Sequence, residues 1–488
     1  MSNNSIYTKE FGPVLYALGD LSGKPKYRVL VCDICEPSCL FDDEPVKVTL
    51  LISLPTGNFW SFEFSVTPAL ETTEHTYTIN THSYRFSVPG INTEKLRIAY
   101  SSCNGSASET PAKKIVPGRN ALWEHMHEMH KEESYHLLIQ GGDQLYADSV
   151  WNDIPFLVEW KTLPRSKQYV AEMPQAVFDE IRNYYFTCYM TYWSRPHIRE
   201  VLATIPSIMI WDDHDIFDGW GSWNKHYQSC PVYQGIFKAA REAFFLFQRG
   251  ENVSLDLQTA GIVMTLSHSV FIAPDLRSER TRNQVMGKAG WSWFDKCLQD
   301  IDLDKKHLVL ISSVPLATSH FSALDPFLTG FPSFLARRLP KRLNPKQFAD
   351  DIHDQWRVPA HRDEWLRMLN TLLDFADRTQ TQVTTVSGEI HLGARSTIKR
   401  NGTVIHQFIA SGIAHPPAPP SVVWLCELLS KGVQDISDDI DIRMEYFFQS
   451  GRRKYLRARN WLSLELHISN EIASHWHAES QEAITFKT

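Results

Sequence analysis

Long apolar runs are missing from this sequence. No stretch of about 18 apolar residues occurs, so no membrane-spanning helix is predicted. The segment Met1–Leu15 has no basic stretch followed by an apolar run, so no secretory signal peptide is visible. Cysteine is also sparse, with 8 among 488 residues, which predicts reduced thiols rather than a disulfide framework. We therefore expect a cytoplasmic protein, and the sequence leaves an exported form open.

An excess of basic charge is missing as well. The net charge is −7 and the isoelectric point is near 6.3, so no specific recognition of nucleic acid is expected. An acidic protein that handles phosphate anions needs bound cations or a local group of arginines. The 43% of hydrophobic residues can form a large core, and the length predicts two or three structural units.

The distribution of apolar residues divides the chain into three parts. Residues 1–92 contain short β-rich runs separated by turn residues, which predicts an N-terminal β-sandwich domain ending near Pro89-Gly90. Residues 93–420 alternate between strand and helix patterns, which predicts an α/β body with a layered sheet. Residues 421–488 are expected to form a C-terminal extension that packs on this body.

One stretch at the centre of the chain combines a strand with an acidic cluster. The apolar run Ser207–Trp211 is followed at once by Asp212-Asp213-His214-Asp215. Crowded carboxylates repel one another unless a cation neutralises them, and a metal ion is the simplest such cation. The alternative is an exposed acidic turn that caps the next helix.

Metal-competent side chains follow four predicted strands in the same way. Because strand ends meet at one edge of an α/β sheet, side chains that are distant in sequence can converge there. A thiolate and a phenolate in such a shell favour ferric iron. Each residue alone is a weak signal, and the sharing of one topological position strengthens the prediction. The candidates are Cys103, Asp143 with Tyr146, Asp212 with Asp213 and His214, and Glu389 with His391.

The order of these motifs resembles that of the PhoD-like alkaline phosphatase family. The resemblance implies a metallophosphoesterase with a metallophosphatase-type β-sandwich flanked by helices and a small leading β domain. It covers roughly residues 95–415. The motifs that carry it are Ser102-Cys103, Gly142-Asp143-x-x-Tyr146, Trp211-Asp212-Asp213-His214-Asp215, Asp275–Thr281, Trp291-Ser292-Trp293, Asp354-Gln355-Trp356 with Arg362, and Ser387-Gly388-Glu389-Ile390-His391.

The resemblance also implies a pair of metal ions, Fe³⁺ and Ca²⁺. Cys103 and Tyr146 would ligate the iron, and Asp143 would bridge the two metals. The second metal would bind Asp213. Two later residues, Glu389 and His391, would complete the shells. The family usually has an aspartate where Glu389 stands, and its characteristic secretion signal is missing here. Manganese, zinc or magnesium therefore remain alternatives.

Further roles follow from the same resemblance. His214 would protonate the leaving oxygen, while Arg277 and Arg280 would hold the phosphate. Asp212 and Asp215 are expected to orient the groups beside them. Another residue, His415, follows the last strand of the sheet and is a possible additional ligand.

These features predict a metal-dependent phosphoric ester hydrolase acting on small-molecule esters. In this mechanism a metal-activated hydroxide attacks a phosphate mono- or diester. One alternative is a hydrolase of another ester that uses the same metals. The other is a catalytically weak metal- or phosphate-binding protein of the same fold that acts through partners. Substrate, oligomeric state and the role of the extension are not determined; specificity is expected in the loops Trp151–Pro174 and Phe321–Pro345.

Two further groups, one of histidines and one of tryptophans, have positions that the sequence predicts. His125, His127 and His130 lie in one predicted helix and are expected to face solvent. Trp211 and Trp220 flank the acidic cluster and are expected to form walls of the site.

Overall fold

Two large β-sheets pack face to face at the centre of the chain. The structure is a computed structural model that describes residues 11–19, 23–54, 57–106, 118–253, 258–302, 304–318, 355–430, 432–437, 439–447 and 453–488. Between the sheets, Ile98 and Ile208 of the first sheet share one buried cluster with Phe271 and Ile311 of the second. This cluster forms the inner core of the molecule.

The described strands come from all parts of the chain. In the first 92 residues the described strands are β1 Phe11–Ala17, β2 Lys26–Asp33, β3 Cys39–Phe41, β4 Glu44–Pro45, β5 Val48–Leu54, β6 Gly57–Ser65, β7 Thr73–Ile79 and β8 His82–Val88. The strands that follow are β9 Lys95–Ser101, β10 Leu137–Gly141, β11 Ser207–Ile210, β12 Ile262–Leu266, β13 Ser269–Ala273, β14 His307–Ser312, β15 Gln382–Ser387, β16 Gly393–Arg400, β17 Thr403–Ile409, β18 Gln434–Asp435, β19 Asp441–Met444, β20 Tyr455–Leu456, β21 Asn460–His467, β22 Ile472–Ala478 and β23 Ile484–Lys487.

Hydrogen bonds join these strands into three sheets. The first sheet has the order β23-β22-β21-β9-β10-β11-β1-β2-β6-β5, and the second has the order β12-β13-β14-β15-β17-β16-β19-β18, with β20 paired to β16. A smaller sheet has the order β4-β3-β7-β8. Strands β9, β10 and β11 run parallel, as do β13, β14, β15 and β17. Their carboxyl ends therefore point to one side of each sheet.

Helices cover the outer faces of both large sheets. The described α-helices are α1 Ala121–Glu132, α2 Val150–Asp153, α3 Pro155–Thr162, α4 Arg165–Gln168, α5 Gln175–Trp193, α6 Ile198–Thr204, α7 Lys225–Gln228, α8 Pro231–Ala243, α9 Lys288–Asp300, α10 Arg362–Thr379 and α11 Pro420–Leu429. A π-helical turn, Phe244–Gln248, extends α8, and 3-10 turns occur at Asp213–Asp215 and Pro359–His361.

The alternating direction of side chains along each strand explains why helices pack on the outer faces of the sheets. Within the first sheet, Ala99 and Met209 point away from the inner core and pack against α1, α5, α6 and α8. In the second sheet, Leu308 and Leu310 pack in the same way against α9 and α10. Successive side chains of a strand face opposite sides, so strands buried on both faces need apolar residues at every position. The predicted layered sandwich flanked by helices is confirmed.

The two flanking regions pair directly with the central strands. Strand β1 runs parallel to β11 with Tyr16 opposite Ser207, and the Tyr16 hydroxyl donates to the carbonyl of Phe247 at 2.5 Å. Strand β21 pairs antiparallel with β9, from Leu462 opposite Tyr100 to His467 opposite Lys95. In the described parts of residues 11–92 the regular elements are β-strands, and several of these strands extend the sheet of the body. The domain boundaries at 92 and 420 stay predictions.

Some expectations are corrected by the side-chain positions. His130 is buried, since only 9% of it is exposed, and it accepts a hydrogen bond from the Tyr135 N–H. Trp211 stacks on Phe244, and Trp220 stacks on Phe237. Both tryptophans are buried in the helical layer instead of lining a cleft, because their indole rings complete its apolar core. The Phe321–Pro345 loop and Asp354 lie outside the described residues.

Candidate active site

Four of the predicted ligands sit on turns with unusual backbone geometry. Cys103, Asp143, Glu389 and His391 have φ angles of 54°, 56°, 65° and 53°, in the left-handed region. Residues with a Cβ rarely adopt this region, because each one costs on the order of 1–3 kcal/mol and persists only where the surrounding structure imposes it. Such positions cluster at functional sites. Here they turn the chain sharply after β9, β10 and β15.

The first group of potential ligands combines sulfur, carboxylate and imidazole. Ligand atoms of Cys103, Asp143 and His391 all lie within 4.8 Å of one another. The Tyr146 hydroxyl lies 3.2 Å from Asp143 Oδ2 and 3.1 Å from His391 Nε2. The Cys103 thiol is 3.5 Å from the same Asp143 oxygen. The structure therefore brings together four residues that the sequence placed in three separate motifs.

The second group shares Asp143 with the first. Asp143, Asp213 and His214 also place ligand atoms within 4.8 Å of one another. The backbone N–H of Gly219 donates to Asp213 Oδ2 at 2.8 Å, which fixes the orientation of that carboxylate. Two adjoining groups with one common carboxylate match the arrangement expected for a bridged pair of metal ions.

The electrostatics of Asp143 fit a bound cation. Its side chain is 1% exposed, and its Oδ1 atom has no hydrogen-bond partner among the described residues. Burial raises the pKa of Asp143 well above its usual value, and Asp212 and Asp213 raise it further against the opposing effect of His214. A buried carboxylate with an unsatisfied oxygen is costly, and a metal ion would remove that cost. The residues present therefore fit a metal centre.

The protonation of the Cys103 thiol and of the Tyr146 phenol also depends on whether a cation is bound. Burial raises the pKa of Cys103, and Asp143 raises it further. Burial likewise raises the pKa of Tyr146, with Cys103 as the next cause. Without a cation both groups stay protonated, whereas a coordinated thiol or phenol loses its proton. Ser411, which the sequence analysis missed, lies 3.1 Å from the Cys103 sulfur and accepts from the His391 N–H at 2.9 Å.

His214 is held by an aspartate that the sequence analysis missed. Asp148 Oδ2 lies 2.8 Å from His214 Nδ1, and its other oxygen accepts from the Asp218 N–H at 2.7 Å. Burial lowers the pKa of His214, but Asp148, Asp213 and Asp143 outweigh it, so the pKa is well above its usual value. The signal available in the sequence was the position of Asp148, five residues beyond Asp143 in the same loop.

Arg277 lies behind the acidic cluster. Its side chain is 0% exposed, its guanidinium donates to Asp212 Oδ1, and its Nη1 atom donates to the Trp220 carbonyl at 3.1 Å. The guanidinium is also 3.6 Å from Asp213 Oδ1. The side chain therefore holds two acids from behind and presents no surface to a phosphate. Arg280 is also buried, at 2% exposure, against Gly221.

Asp212 and Asp215 form the support under the acidic cluster. Asp212 Oδ1 accepts from Ser313 Oγ at 2.8 Å, and the Asp212 N–H donates to Asp215 Oδ2 at 2.8 Å. Asp215 also accepts from the Leu145 N–H at 2.9 Å, which ties the Asp143 loop to the cluster. Burial raises the pKa of Asp215 to about 7 despite these backbone hydrogen bonds. Ser313, at the end of β14, was missed by the sequence analysis.

Glu389 belongs to neither group of potential ligands among the described residues. Gln355 Nε2 donates to both of its carboxylate oxygens, at 2.9 and 2.7 Å. The side chain of Glu389, which is longer than that of the aspartate usual in the family, therefore reaches Gln355 of the Gln355-Trp356 motif. This placement separates Glu389 from His391, which is two residues further on and lies in the first group.

His415 lies against the first group without joining it. Its ring stacks on His391 with 3.5 Å between centroids, and on Tyr146 with 5.2 Å. Its Nδ1 atom is 2.7 Å from the Pro416 carbonyl. Burial lowers the pKa of His415 to about 4, so the ring stays neutral near pH 7. The stacking fixes the His391 ring, and a ligand role for His415 stays a prediction.

The close approach of the two sheets requires glycine at Gly142. Its φ angle is 109°, and a Cβ there would lie 2.9 Å from Asp212 Cβ and 3.1 Å from Ser313 Cβ. Any side chain would push the Asp143 loop away from the acidic cluster. This glycine is therefore a condition for both groups to share Asp143.

A two-sheet sandwich with these acids and imidazoles at its strand ends defines a metallophosphatase-type protein. The sequence profile of the PhoD related phosphatase family matches residues 68–331, which is more than half of the chain. The chain belongs to the PhoD related phosphatase family.

Two solved structures share the fold. A structure of PhoD has a TM-score of 0.56 and 12% sequence identity, and the alignment covers 100% of this chain and 90% of PhoD. Purple acid phosphatase PPD1 from yellow lupin (Lupinus luteus) seeds has a TM-score of 0.53 and 11% identity, with 98% of this chain and 74% of the other covered. At these identities the likeness concerns the fold.

A curated relative extends the similarity in sequence. The uncharacterized protein YGR266W of Saccharomyces cerevisiae is 23% identical over an alignment of 503 positions, which covers 84% of this chain and 71% of the relative. Separately, none of the helices in the described ranges is long and apolar enough to cross a bilayer.

Proposed function

We propose that this protein is a metal-dependent phosphoric ester hydrolase that acts on phosphate mono- or diesters. The observation that carries the proposal is the sharing of Asp143 by two groups of potential metal ligands. A single buried carboxylate between two donor sets is the feature that a bridged metal pair requires. The family and the fold support the same class of chemistry.

Each group of ligands fits a different kind of metal ion. Cys103, Tyr146 and His391 with Asp143 supply soft and phenolic donors, which favour ferric iron. Asp143 and Asp213 supply oxygen, which suits calcium, with manganese, zinc and magnesium as alternatives. Metal ions held there would polarise the phosphoryl group and activate a water molecule.

His214 is the proposed proton donor to the leaving oxygen. Asp148 occupies its Nδ1 atom, so the proton to be transferred lies on Nε2. Asp148, Asp213 and Asp143 raise the pKa of His214, which favours the protonated imidazole that a proton donor requires. Positioned acids of this kind contribute about 10²–10⁴-fold to turnover. Asp148 acts as a positioning residue because it fixes the ring and its charge.

The proposed role of Arg277 differs from the role that the sequence predicted. Arg277 holds Asp212 and Asp213 in place, so it acts on the ligands and not on the phosphate. The proposed substrate is a small phosphate ester, and the proposed location is the cytoplasm, where the eight cysteines would stay reduced.

The test combines metal analysis with ester hydrolysis. The wild-type protein is expected to contain metal and to cleave nitrophenyl phosphate mono- or diesters at alkaline pH. Asp143→Ala should lose both properties. His214→Gln should keep its metal but lose about a hundredfold or more in turnover of alkyl esters, and less with nitrophenolate as leaving group.

The substitution Asp300→Asn serves as the control for these variants, because Asp300 is exposed at the end of α9. Wild-type protein that stays metal-free and inactive across a metal screen would overturn the proposal. Equal losses in His214→Gln for both leaving groups would contradict the proton-donor role only.

A further inference from the structure

One tryptophan beside the acidic cluster is exposed, unlike its two neighbours in the same segment. Trp223 is 39% exposed, whereas Trp211 and Trp220 are each 2% exposed. The two buried indole rings already stack on phenylalanine rings of the helical layer. Of the three tryptophans between residues 211 and 223, Trp223 is therefore the one whose ring a ligand can reach.

Trp223 packs on the turn that holds two acids of the candidate site. In this turn the Asp218 N–H donates to Asp148 Oδ1 at 2.7 Å. The Gly219 N–H donates to Asp213 Oδ2 at 2.8 Å. The Nε1 atom of Trp223 lies 3.3 Å from the point that a Cβ of Gly219 would occupy. The indole ring and the potential ligand Asp213 are therefore neighbours of the same glycine.

Two tyrosines fix the orientation of the Trp223 ring without stacking on it. The ring centroids of Tyr227 and Tyr233 lie 6.0 and 5.9 Å from that of Trp223, at interplanar angles of 72° and 83°. The Tyr227 hydroxyl donates to Gln168 Oε1 at 2.7 Å, which holds this tyrosine in turn. Among the rings that the structure describes, none lies parallel on the indole of Trp223. A planar group can therefore stack there.

Further rings extend this surface away from the acids. The ring centroid of Tyr169 lies 4.9 Å from that of Tyr227 and 5.2 Å from that of His226. Val170, which follows Tyr169, is 70% exposed. Tyr169 belongs to the loop Trp151–Pro174, in which the sequence predicted specificity. We call Trp223, Tyr227, Tyr169 and His226 the aromatic rim. A surface built of rings suits a planar apolar group better than a charged one.

The aromatic rim lies on the side of the proposed proton donor. The side chains of His214 and Asp148 are 15% and 14% exposed, whereas Asp143 is 1% exposed. The candidate site therefore reaches solvent at His214, and Asp148 connects His214 to the turn on which Trp223 packs. The leaving oxygen of an ester must lie within reach of the donated proton. The organic group on that oxygen would therefore extend toward the aromatic rim.

We propose that the aromatic rim binds the organic group of the substrate and that this group contains a planar aromatic ring stacked on Trp223. The ring belongs to the alcohol that leaves, and it is either an aryl group or the base of a nucleoside. The inference rests on the proposed function and narrows its substrate class from phosphate esters in general to esters of ring-bearing alcohols. It also assigns to Trp223 the wall position that the sequence predicted for Trp211 and Trp220.

Stacking on Trp223 can be measured without catalysis, because phosphonates have no ester bond to cleave. In calorimetry with Mn²⁺-saturated protein, the wild type should bind phenylphosphonate about tenfold more tightly than methylphosphonate. Trp223→Leu keeps an apolar side chain but no ring, so it should lose this preference. Trp223→Phe should keep most of it. The control Trp424→Leu makes the same change at a tryptophan that is 66% exposed on α11, and it should behave as the wild type does.

Kinetics test the same contact during turnover. Trp223→Leu should raise KM for phenyl phosphate about tenfold and change kcat little, because stacking is equally strong in the ground state and in the transition state. KM for glycerol phosphate, which has no ring, should stay unchanged. Adenosine 5′-monophosphate is measured beside phenyl phosphate. The ester with the larger effect of Trp223→Leu shows whether the ring belongs to a nucleoside or to an aryl group.

The outcomes separate this inference from the proposed function. Circular dichroism verifies the fold of each variant. A wild type without a preference for phenylphosphonate, or a Trp223→Leu variant that keeps the preference, would overturn the role of the aromatic rim. Hydrolysis of phenyl phosphate and adenosine 5′-monophosphate with the same KM in both proteins would do so too and leave the proposed function standing. A preference that Trp223→Leu abolishes, without hydrolysis of any ester, would support the rim and contradict the proposed function.

Discussion

At the scale of single residues, the candidate site consists of ligands and of the groups that hold them. His214 owes its position and its raised pKa largely to Asp148, since the two side chains meet at 2.8 Å. Asp213 depends similarly on the Gly219 N–H and on Arg277. Positioning partners of this kind often matter nearly as much as the groups they hold.

Asp148→Asn tests the positioning of His214. We expect turnover of alkyl phosphates to fall about 10–100-fold, because the imidazole loses the carboxylate that orients and charges it. Turnover of nitrophenyl phosphate should fall less, since nitrophenolate leaves without a proton. Steady-state kinetics with both esters give the comparison, and unchanged metal content excludes damage to the ligands. An equal loss for both esters would argue against this role.

Arg277→Met tests whether that arginine supports the acids or binds substrate. Its removal leaves Asp212 buried without its cation, which costs about 3–5 kcal/mol in the free energy of unfolding. Urea unfolding of the metal-free protein measures this cost. A variant with unchanged stability and a raised KM would instead support the phosphate contact that the sequence predicted.

At the scale of elements, one buried histidine lies in the last turn of α1 and a second lies in the connection from α1 to β10. His130 Nδ1 accepts from the Tyr135 N–H, and His136 Nδ1 accepts from the Arg97 N–H, each at 3.0 Å. Burial lowers the pKa of both histidines to about 4. An imidazole protonated at Nδ1 cannot accept these hydrogen bonds. This connection is therefore stable only while both rings are neutral.

The same pair predicts a loss of stability in acid. The unfolded chain binds protons below pH 6.5, whereas the folded histidines bind them only near pH 4, so stability falls as the pH falls between these values. From pH 7.5 to 5.0 each histidine should cost about 2 kcal/mol in the free energy of unfolding. In urea unfolding of the double variant His130→Asn, His136→Asn, the free energy of unfolding should depend less on pH than in the wild type. The control variant His82→Asn, at an exposed histidine, should behave as the wild type does.

Elements with strong periodicity were predicted well. The apolar run Ser207–Trp211 contains β11, and the strands before the other candidate ligands also lie just ahead of them, as the sequence indicated. Strand β1 was missed because Gly12 and Pro13 interrupt its pattern, and β16 was missed because polar residues alternate within it. Tertiary pairing stabilises both strands, and a local pattern does not record such pairing.

At the scale of the whole molecule, the ends of the chain complete the sheet that carries the site. Strand β1 lies beside β11, which leads into Asp212 and Asp213. Strand β21 lies beside β9, which leads into Cys103, and Trp476 Nε1 donates to the Ile409 carbonyl of the other sheet at 2.8 Å. The flanking regions therefore share hydrogen bonds and core with the strands of the site.

Truncation tests whether the rest of the chain folds without the N-terminal flanking region, residues 1–92. A chain of residues 93–488 should be insoluble or lack a cooperative thermal transition, because β11 and the core side chains of the first sheet become exposed. A chain starting at residue 11, which keeps every described strand, should fold. Soluble yield and circular dichroism on heating measure both. A stable 93–488 fragment would support the predicted boundary at residue 92.

A second pair of truncations tests the C-terminal region. A chain ending at residue 420 loses the partner of β9 and should fail in the same way. A chain ending at residue 481 loses only the half-exposed edge strand β23 and should stay folded. Independent folding of the shorter chain would mean that the extension merely packs on the body.

The layered α/β fold, the family and the candidate residues at the strand ends could all be predicted from the sequence alone. This was possible because burial on both faces of a strand requires apolar runs, and because polar residues that follow such runs are exposed at one edge. Only the tertiary structure decided what each residue contacts. It placed Arg277 behind the acids, Glu389 on Gln355 and Asp148 on His214, because these contacts join segments whose separation along the chain leaves no local pattern.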